Sequence, residues 1–108
     1  MKDHERAAQV WAVLAQAATN RQTLTYERLS QLIGVPSRGL GNFLGHIQSY
    51  CMKKELPALT SIVVHKDTGL PGYGFAAADN VPKAQADVYK YDWLACTVPT
   101  PSDLESAV

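Results

Sequence analysis

Apolar residues recur at helical spacing through the first half of the chain, in three segments separated by polar or glycine-containing stretches. In the first segment, 6–19, apolar side chains return every three or four positions from Ala7 onward, which predicts an amphipathic helix. Asp3 is available as the N-cap of this helix. The polar stretch 20–24 predicts a connecting loop.

A second and a third helix are predicted next, joined by a tight turn. Thr25 is a suitable N-cap for a helix over 26–33, and Gly34 is a suitable stop. The Val-Pro pair that follows disfavours a continuous helix, so Ser37 is expected to cap a third helix over 37–55. An uninterrupted apolar face of this helix is formed by Leu40, Phe43, Leu44, Ile47, Tyr50 and Cys51. Helix, glycine-containing turn and helix make the helix-turn-helix arrangement.

The second half of the chain predicts a short β wing and one more helix. Residues 59–65 are rich in β-branched side chains and predict a strand, and 66–69 predicts a turn. The glycine-rich stretch 70–75 is expected to return as the other side of the wing. A fourth helix is predicted over 82–94, because proline suits the first helical turn. The tail 97–108 contains two prolines and is expected to be extended.

Together these elements predict an α+β fold, a single small winged helix-turn-helix domain over 1–96. The helix-turn-helix spans about 25–55, the wing about 59–75, and the added C-terminal helix about 82–94. A chain of 108 residues is long enough for one domain and too short for two independent cores.

The charge of the chain limits the functions that can be expected of it. The formal net charge of zero argues against strong general affinity for nucleic acid. The charge is unevenly spread, however: seven cations accompany four carboxylates over 1–56, and three accompany six over 57–108. The helical half of the chain is thus the basic half, which favours one DNA-facing side.

No metal or cofactor site is predicted. His4, His46 and His65 lie far apart on different predicted elements, and Cys51 and Cys96 lack metal-type spacing. Two isolated thiols favour a cytoplasmic chain in which both are buried.

Membrane insertion and export are not expected. No segment approaches the roughly 20 apolar residues of a membrane span, and the charged start of the chain, 1–6, lacks the apolar core of a signal peptide. Trp11 and Trp93 fit the core of the domain at helical spacing.

The outward face of the third helix is unusual for its small residues. Next to Gly39, it carries Arg38, Gly41, Asn42, Gly45 and Ser49. Each interior glycine lowers helix stability by about 1 kcal/mol relative to alanine. Close approach to a phosphate backbone accounts for these glycines, and packing against another protein helix is the alternative. A positive charge at the N-terminus of a helix interacts unfavourably with the helix dipole. Arg38 is therefore not explained by helix stability, which favours a functional role over the alternative, an ion pair with an acid such as Glu27.

Four short motifs resemble, in order and spacing, the DNA-binding domain of the O6-alkylguanine-DNA alkyltransferases and the alkyltransferase-like proteins. They are Thr25-Tyr26, Gly34-Val35-Pro36, Ser37-Arg38-Gly39-Leu40-Gly41-Asn42, and Ile62-Val63-Val64 before Gly69-Leu70-Pro71-Gly72-Tyr73. The resemblance covers about 25–75 and implies a winged helix. It implies that Arg38 enters the base stack where a nucleotide is flipped out, and that Tyr26 helps to rotate that nucleotide. It also implies that Gly41 lies close to the minor groove and that Tyr73 lies near the alkyl pocket.

One difference from this family concerns the chemistry. The alkyltransferases transfer the alkyl group to a cysteine beside a histidine, and alignment on Val63-Val64 places Thr60 and Ser61 at those positions. Neither residue forms the activated thiolate that the transfer needs. The alkyltransferase-like proteins also lack this cysteine and still bind lesion-containing DNA. The chain is therefore expected not to be an enzyme and to need no cofactor.

The expected function is non-catalytic binding of duplex DNA, including lesion-containing duplex. Sequence readout is expected to be weak, because the exposed face has few side chains that discriminate bases. Contacts are expected from Thr25, Tyr26, Ser37, Arg38, Gly41, Asn42, Gly45 and Ser49. The alternative is a protein-interaction module of a bacterial or mobile-element system, since winged helices are also reused as adaptors.

Overall fold

Helices enclose one apolar core in the computed structural model of this protein, which describes residues 2–71, 80–95 and 98–107. The helical elements are α1 (Asp3–Thr19), α2 (Tyr26–Ile33), a first 3-10 helix (Ser37–Gly39), α3 (Leu40–Lys53), a second 3-10 helix (Leu59–Ile62), α4 (Val81–Lys90) and α5 (Pro101–Ser106). The strands are β1 (Leu24–Thr25) and β2 (Val63–Val64), which pair in parallel. The described residues thus form a mostly helical α+β fold. None of their helices is long and apolar enough to cross a membrane.

The start of α1 lies at Asp3, three residues before the predicted start at Arg6. The Glu5 carboxylate accepts a hydrogen bond from the Lys2 backbone N–H at 3.1 Å, and this local bond fixes the entry to the helix. Asp3 is the first helical residue, so its predicted role as N-cap is wrong. The Arg6 guanidinium donates to the Ile33 carbonyl oxygen at 3.1 Å, which ties α1 to the end of α2.

The bounds and both ends of α2 confirm the prediction. The Thr25 hydroxyl accepts a hydrogen bond from the Arg28 backbone N–H at 3.0 Å and so caps the first turn. Gly34 ends the helix in the left-handed conformation, with φ of 81°, which glycine adopts without steric cost. The residues at its two ends therefore determine where α2 begins and ends.

The bounds of α3 are narrower than predicted at both ends. Ser37 opens a 3-10 helix and Gly39 is the N-cap of α3, so the predicted capping role of Ser37 is wrong. Short 3-10 turns are frequent at helix starts. At the other end Lys54 is the C-cap, and Glu55 has a φ of 55°, through which a right-handed helix does not continue.

The inward face of α3 packs against α1 at the centre of the core, and all six predicted inward residues of α3 are buried. The Trp11 ring of α1 makes edge contacts with Tyr50 and Trp93, at centroid distances of 5.5 and 5.6 Å. The Trp93 Nε1–H donates to the Val88 carbonyl oxygen at 2.8 Å, so the buried indole keeps a hydrogen-bond partner. Both tryptophans are core residues, as predicted.

The strand predicted over 59–65 is wrong at its first four residues. Leu59–Ile62 forms a 3-10 helix, and only Val63–Val64 is extended. The three-residue period of a 3-10 helix puts Leu59 and Ile62 on one side, where both are fully buried. A strand would direct them to opposite faces, and one of them would leave the core.

The pairing of β2 also differs from the predicted wing. Its partner is β1, with Leu24 opposite Val63 and Thr25 opposite Val64. The prediction placed Leu24 in a connecting loop, because two residues carry no strand period that a sequence pattern can show.

The turn after β2 forms as predicted over 66–69. Gly69 has a φ of 68°, and its N–H donates to the His65 carbonyl oxygen at 2.8 Å. Most of the predicted returning segment, 70–75, and with it Tyr73, falls within 72–79, outside the described residues.

The fourth helix, α4, is shorter than predicted. It begins at Val81, with the Asn80 side chain accepting from the Lys83 N–H at 3.1 Å, and it ends at Lys90 instead of residue 94. The next residue, Tyr91, is extended with φ of −77° and ψ of 141°. After this residue, the Trp93 indole lies in the core. A helix that continued to residue 94 would be incompatible with the extended backbone at Tyr91.

The tail predicted as extended over 97–108 is wrong at α5. Thr100 and Asp103 cap this helix reciprocally, with the Thr100 hydroxyl accepting from the Asp103 N–H at 3.1 Å and the Asp103 carboxylate accepting from the Thr100 N–H at 2.9 Å. Leu104 is fully buried, and α5 packs on α1 and α3. Burial of this side chain favours the helix by about 1.5–3 kcal/mol and so overrides the flexibility expected of a tail.

Candidate nucleic-acid interface

The outer face of α3 and the 3-10 helix before it form a surface of small residues, called here the glycine ridge. It consists of Ser37, Arg38, Gly41, Asn42, Gly45 and Ser49. Residues four apart lie on one side of a helix, so Gly41, Gly45 and Ser49 form a strip about 12 Å long. A Cβ atom added at either glycine would meet nothing within 4 Å. Gly41 is exposed and Gly45 is half-buried, and among the described residues neither has a neighbour that a methyl group would displace.

Arg38 lies at the N-terminal end of the ridge and is exposed. No hydrogen bond or ion pair joins its guanidinium to another residue in 2–71, 80–95 or 98–107. An ion pair with Glu27, the alternative weighed from the sequence, is not formed. A guanidinium in this state keeps all five donors for an external anion.

The segment of the sequence that contains the ridge carries a net positive charge. Between Glu27 and Glu55 the sequence contains no carboxylate and four cations: Arg28, Arg38, Lys53 and Lys54. One carboxylate of α5, that of Asp103, lies within electrostatic reach of Lys54, the C-cap of α3. Hydrogen bonds from Thr100 chiefly lower the pKa of Asp103, and the Lys54 charge lowers it further.

Thr25 and Tyr26 lie apart from the ridge. The Thr25 hydroxyl oxygen accepts the capping hydrogen bond of α2, and its O–H can still donate to a partner. Tyr26 is the first residue of α2 and Arg38 follows its last turn, so about 12 Å of helix separates the two. The predicted contact residues therefore divide into two groups at opposite ends of α2.

The Tyr26 group contains one residue that the sequence did not mark for this surface. The ring of exposed His65 lies against the half-buried Tyr26 ring, with a centroid distance of 4.8 Å and an interplanar angle of 38°. The contact depends on the β1–β2 pairing, which joins residues about 40 positions apart. No local pattern signals such a pairing.

Thr60 and Ser61, which were predicted to correspond to the alkyltransferase cysteine and histidine, are inside the protein. They are 5% and 0% exposed, and neither hydroxyl oxygen has a hydrogen-bond partner among the described residues. The backbone at Ser61 is held from α4, since the Gln85 side-chain amide donates to the Ser61 carbonyl oxygen at 2.8 Å. A hydroxyl without an adjacent base is not activated as a nucleophile.

Two histidines bind to α5 instead of facing a partner. His4 Nδ1 lies 2.9 Å from the Glu105 carboxylate. His46 Nδ1 lies 3.1 Å from the Leu104 carbonyl oxygen, a hydrogen bond that requires the proton on Nδ1. The described residues contain no group of three or more His, Cys, Asp or Glu side chains arranged to hold a metal ion. Cys51 is buried on the inner face of α3, as predicted.

Comparison with known proteins gives no match: no family model matches the chain, and neither a curated protein nor a solved structure does so. The motifs that resemble the alkyltransferases are short, and the likeness lies in their order and spacing. What the protein does is therefore inferred from its own surface.

Proposed function

We propose that this protein binds duplex DNA without catalysis, by laying the glycine ridge of α3 against the duplex. The observation that carries this proposal is a glycine-lined helix face headed by an exposed guanidinium, which no other described residue pairs with. The proposal includes the finer fold, a winged helix in which α2 and α3 form the helix-turn-helix. It also includes a cytoplasmic location.

The fold itself does not require glycine at the two central ridge positions. Neither Gly41 nor Gly45 has a positive φ, and neither has a neighbour that a methyl group would displace. Each nevertheless lowers helix stability by about 0.5–1 kcal/mol relative to alanine. Close approach of an external partner to the α3 backbone would account for glycine at these two positions.

The charge of the surrounding segment favours a polyanionic partner. Arg38 at one end of α3 and Lys53 with Lys54 at the other can each neutralise a phosphate. Base discrimination on this face is limited to few groups, chiefly Asn42 and Ser49 beside the guanidinium. The proposed binding is accordingly tolerant of sequence and sensitive to salt.

Absence of catalysis is part of the proposal and has its own test. Alkyl transfer from guanine needs a nucleophile activated by a base, and the Thr60 and Ser61 hydroxyls have no such neighbour among the described residues. Incubation with duplex containing O6-methylguanine should leave the protein mass unchanged. A gain of one methyl group would show that the protein is an alkyltransferase.

The experiment that tests DNA binding compares stability and affinity in the same variants. Gly41→Ala and Gly45→Ala should each raise the free energy of unfolding by about 0.5–1 kcal/mol, yet weaken duplex binding measured by fluorescence anisotropy. Arg38→Ala should weaken binding with little change in stability. Lys90→Ala removes an exposed cation from α4, which belongs neither to the ridge nor to α3, and is the control for charge.

Salt dependence provides the second measurement. If Arg38, Lys53 and Lys54 each bind a phosphate, affinity should fall about 40-fold between about 50 and 200 mM salt. Wild-type protein that shifts no duplex at low salt, with or without O6-methylguanine, would refute the proposal. So would alanine variants at the glycines that bind as tightly as wild type.

A second candidate function, protein interaction, is favoured by a separate observation. A groove of about 460 Å³ between α1 and α2 has an apolar lining that includes Ala17, Leu24 and Leu32, and Leu32 is 48% exposed. A contiguous apolar surface that remains exposed is typical of protein contact sites. Leu32→Asp should abolish binding to a protein partner while leaving duplex affinity unchanged, and the reverse is expected for Arg38→Ala.

A further inference from the structure

We infer that the groove between α1 and α2 binds a second copy of this chain, through the turn 92–95 that follows α4. The contact is head to tail, because the groove of one copy receives the turn of the next and the two surfaces differ. The inference names an occupant for the groove. It goes beyond the proposed DNA binding and does not depend on it, since neither surface includes a residue of the glycine ridge.

The groove combines apolar side chains with a positive charge. Its volume is about 460 Å³, and its apolar lining includes Val13, Leu24 and the exposed Leu32. Arg28 is the one charged side chain among the described residues that line it. The sequence contains no Asp or Glu over 6–26, which covers most of the lining. The groove therefore suits an apolar side chain that has a carboxylate beside it.

The turn 92–95 presents that combination. Leu94 is 69% exposed, more than any other large apolar side chain in the described part of the chain. The adjacent Trp93 is buried, and its indole N–H donates to a carbonyl oxygen of α4 at 2.8 Å, so the turn is anchored to the core directly beside Leu94. Asp92 is exposed, and its carboxylate accepts from the Ala95 N–H at 3.2 Å, which closes the turn. An exposed leucine thus stands two residues from a carboxylate on an anchored turn.

The two surfaces are available to a second copy. None of residues 92–95 lines the groove, so the turn does not fill the groove of its own chain. No ion pair joins Arg28 or Asp92 to another residue in 2–71, 80–95 or 98–107. In the head-to-tail contact these two opposite charges meet beside Leu94 as it enters the groove.

The distribution of charge over the whole chain favours the same orientation. Residues 1–56, which contain the groove, carry seven cations against four carboxylates, and residues 57–108, which contain the turn, carry three against six. Opposite charges steer the groove of one copy towards the turn of another, whereas contact between two grooves brings like charges together. The net charge of zero leaves no overall repulsion between copies.

The contact does not close on itself, because the two surfaces differ. A pair of copies keeps one free groove and one free turn, so larger oligomers should form as the concentration rises. One leucine and one exposed ion pair make a small contact, and we expect a dissociation constant of about 0.1–1 mM.

The test is sedimentation velocity of the full chain without DNA, at low salt and at concentrations up to about 1 mM. Leu32→Asp disables the groove and Leu94→Asp disables the turn, so each variant alone should stay monomeric. An equal mixture of the two should form a 1:1 dimer that grows no further, because one intact groove and one intact turn remain. Recovery of association in the mixture also shows that both variants are folded.

Two further variants check specificity and charge. Met52→Asp makes the same change at an exposed apolar side chain of α3 outside both surfaces, and it should associate like wild type. Arg28→Gln should raise the dissociation constant about two- to fivefold at low salt, as expected for an exposed ion pair. High salt should remove this difference, because it screens the pair.

Three results would overturn the inference. Wild-type protein that is monomeric at about 1 mM would leave the groove to a different protein. Association that persists in Leu94→Asp would show contact between two grooves, and a mixture of the two aspartate variants that forms no dimer would exclude the head-to-tail contact. None of these results bears on duplex binding, and failure to bind a duplex leaves self-association unaffected, so the two proposals fail separately.

Discussion

Replacing Thr60 by valine should stabilise the protein, although it removes a polar group. Thr60 is 5% exposed, and its hydroxyl oxygen has no hydrogen-bond partner in the described part of the chain. Burial of a hydroxyl without a partner costs about 1–3 kcal/mol. Valine has the same shape and no such group, so the expected gain in the free energy of unfolding is about 1–3 kcal/mol.

A matched control makes the same chemical change where the hydroxyl has a partner. The Thr25 hydroxyl accepts a hydrogen bond from the Arg28 N–H at 3.0 Å. Thr25→Val should therefore lower the free energy of unfolding by about 1 kcal/mol, the usual effect of losing an N-cap. One substitution type should thus change stability in opposite directions at two positions.

Urea denaturation followed by circular dichroism measures both effects. Thr60→Val should raise the midpoint concentration without changing the slope of free energy against urea, since the surface exposed on unfolding stays the same. Each kcal/mol corresponds to about 4–8 °C in the melting temperature of a domain near this size. A lower midpoint for Thr60→Val would refute the reasoning, because it would show that the hydroxyl is satisfied in solution, for instance by a bound water.

Two further predictions concern α5. Leu104→Ala should lower the free energy of unfolding by about 2–5 kcal/mol, measured by the same denaturation, because the fully buried side chain leaves a cavity between α5 and its neighbours. Asp103 has a pKa lowered from 3.8, chiefly by hydrogen bonds from Thr100, so the folded state favours its charged form. Its contribution to stability should be fully present above about pH 4 and lost as the pH falls through the lowered pKa, which carboxyl NMR titration and acid unfolding can follow. An Asp103→Asn variant with an unchanged acid-unfolding profile would contradict this assignment.

The helices of the first half could be predicted because their signals are local. In α3 the spacing of apolar residues specifies one buried face over three turns, and all six inward residues are buried. In α2 the cap at Thr25 and the stop at Gly34 act within one turn. The 3-10 helix at the start of α3 was missed because the N-cap signal of Ser37 does not distinguish the two helix types.

The elements of the second half depend on tertiary contacts and were predicted less well. A short apolar run such as Leu59–Ile62 suits either a strand or a buried helical turn, and the core decides between them. The tail contains a local helix signal that its two prolines do not exclude. Thr100 and Asp103 form a capping box, and Pro101 lies in the first turn, where proline is favourable.

The candidate site also has one part that local sequence patterns predict and one part that depends on tertiary contacts. Exposure of Arg38, Gly41 and Asn42 follows from the helical period and was available from the sequence. The contact between Tyr26 and His65 was not, since it depends on a ladder of two residue pairs between distant segments.

The energetics of α3 explain how a helix can carry an outer face that weakens it. Two outward glycines cost about 1–2 kcal/mol together. Leu40 and Ile47, both fully buried, each contribute about 1.5–3 kcal/mol, and four other inward residues add to this. Tertiary packing, not helix propensity, therefore holds α3 in place. The outer face can therefore be shaped by a partner, and among the described residues Gly41 and Gly45 have no neighbour within 4 Å of an added Cβ atom.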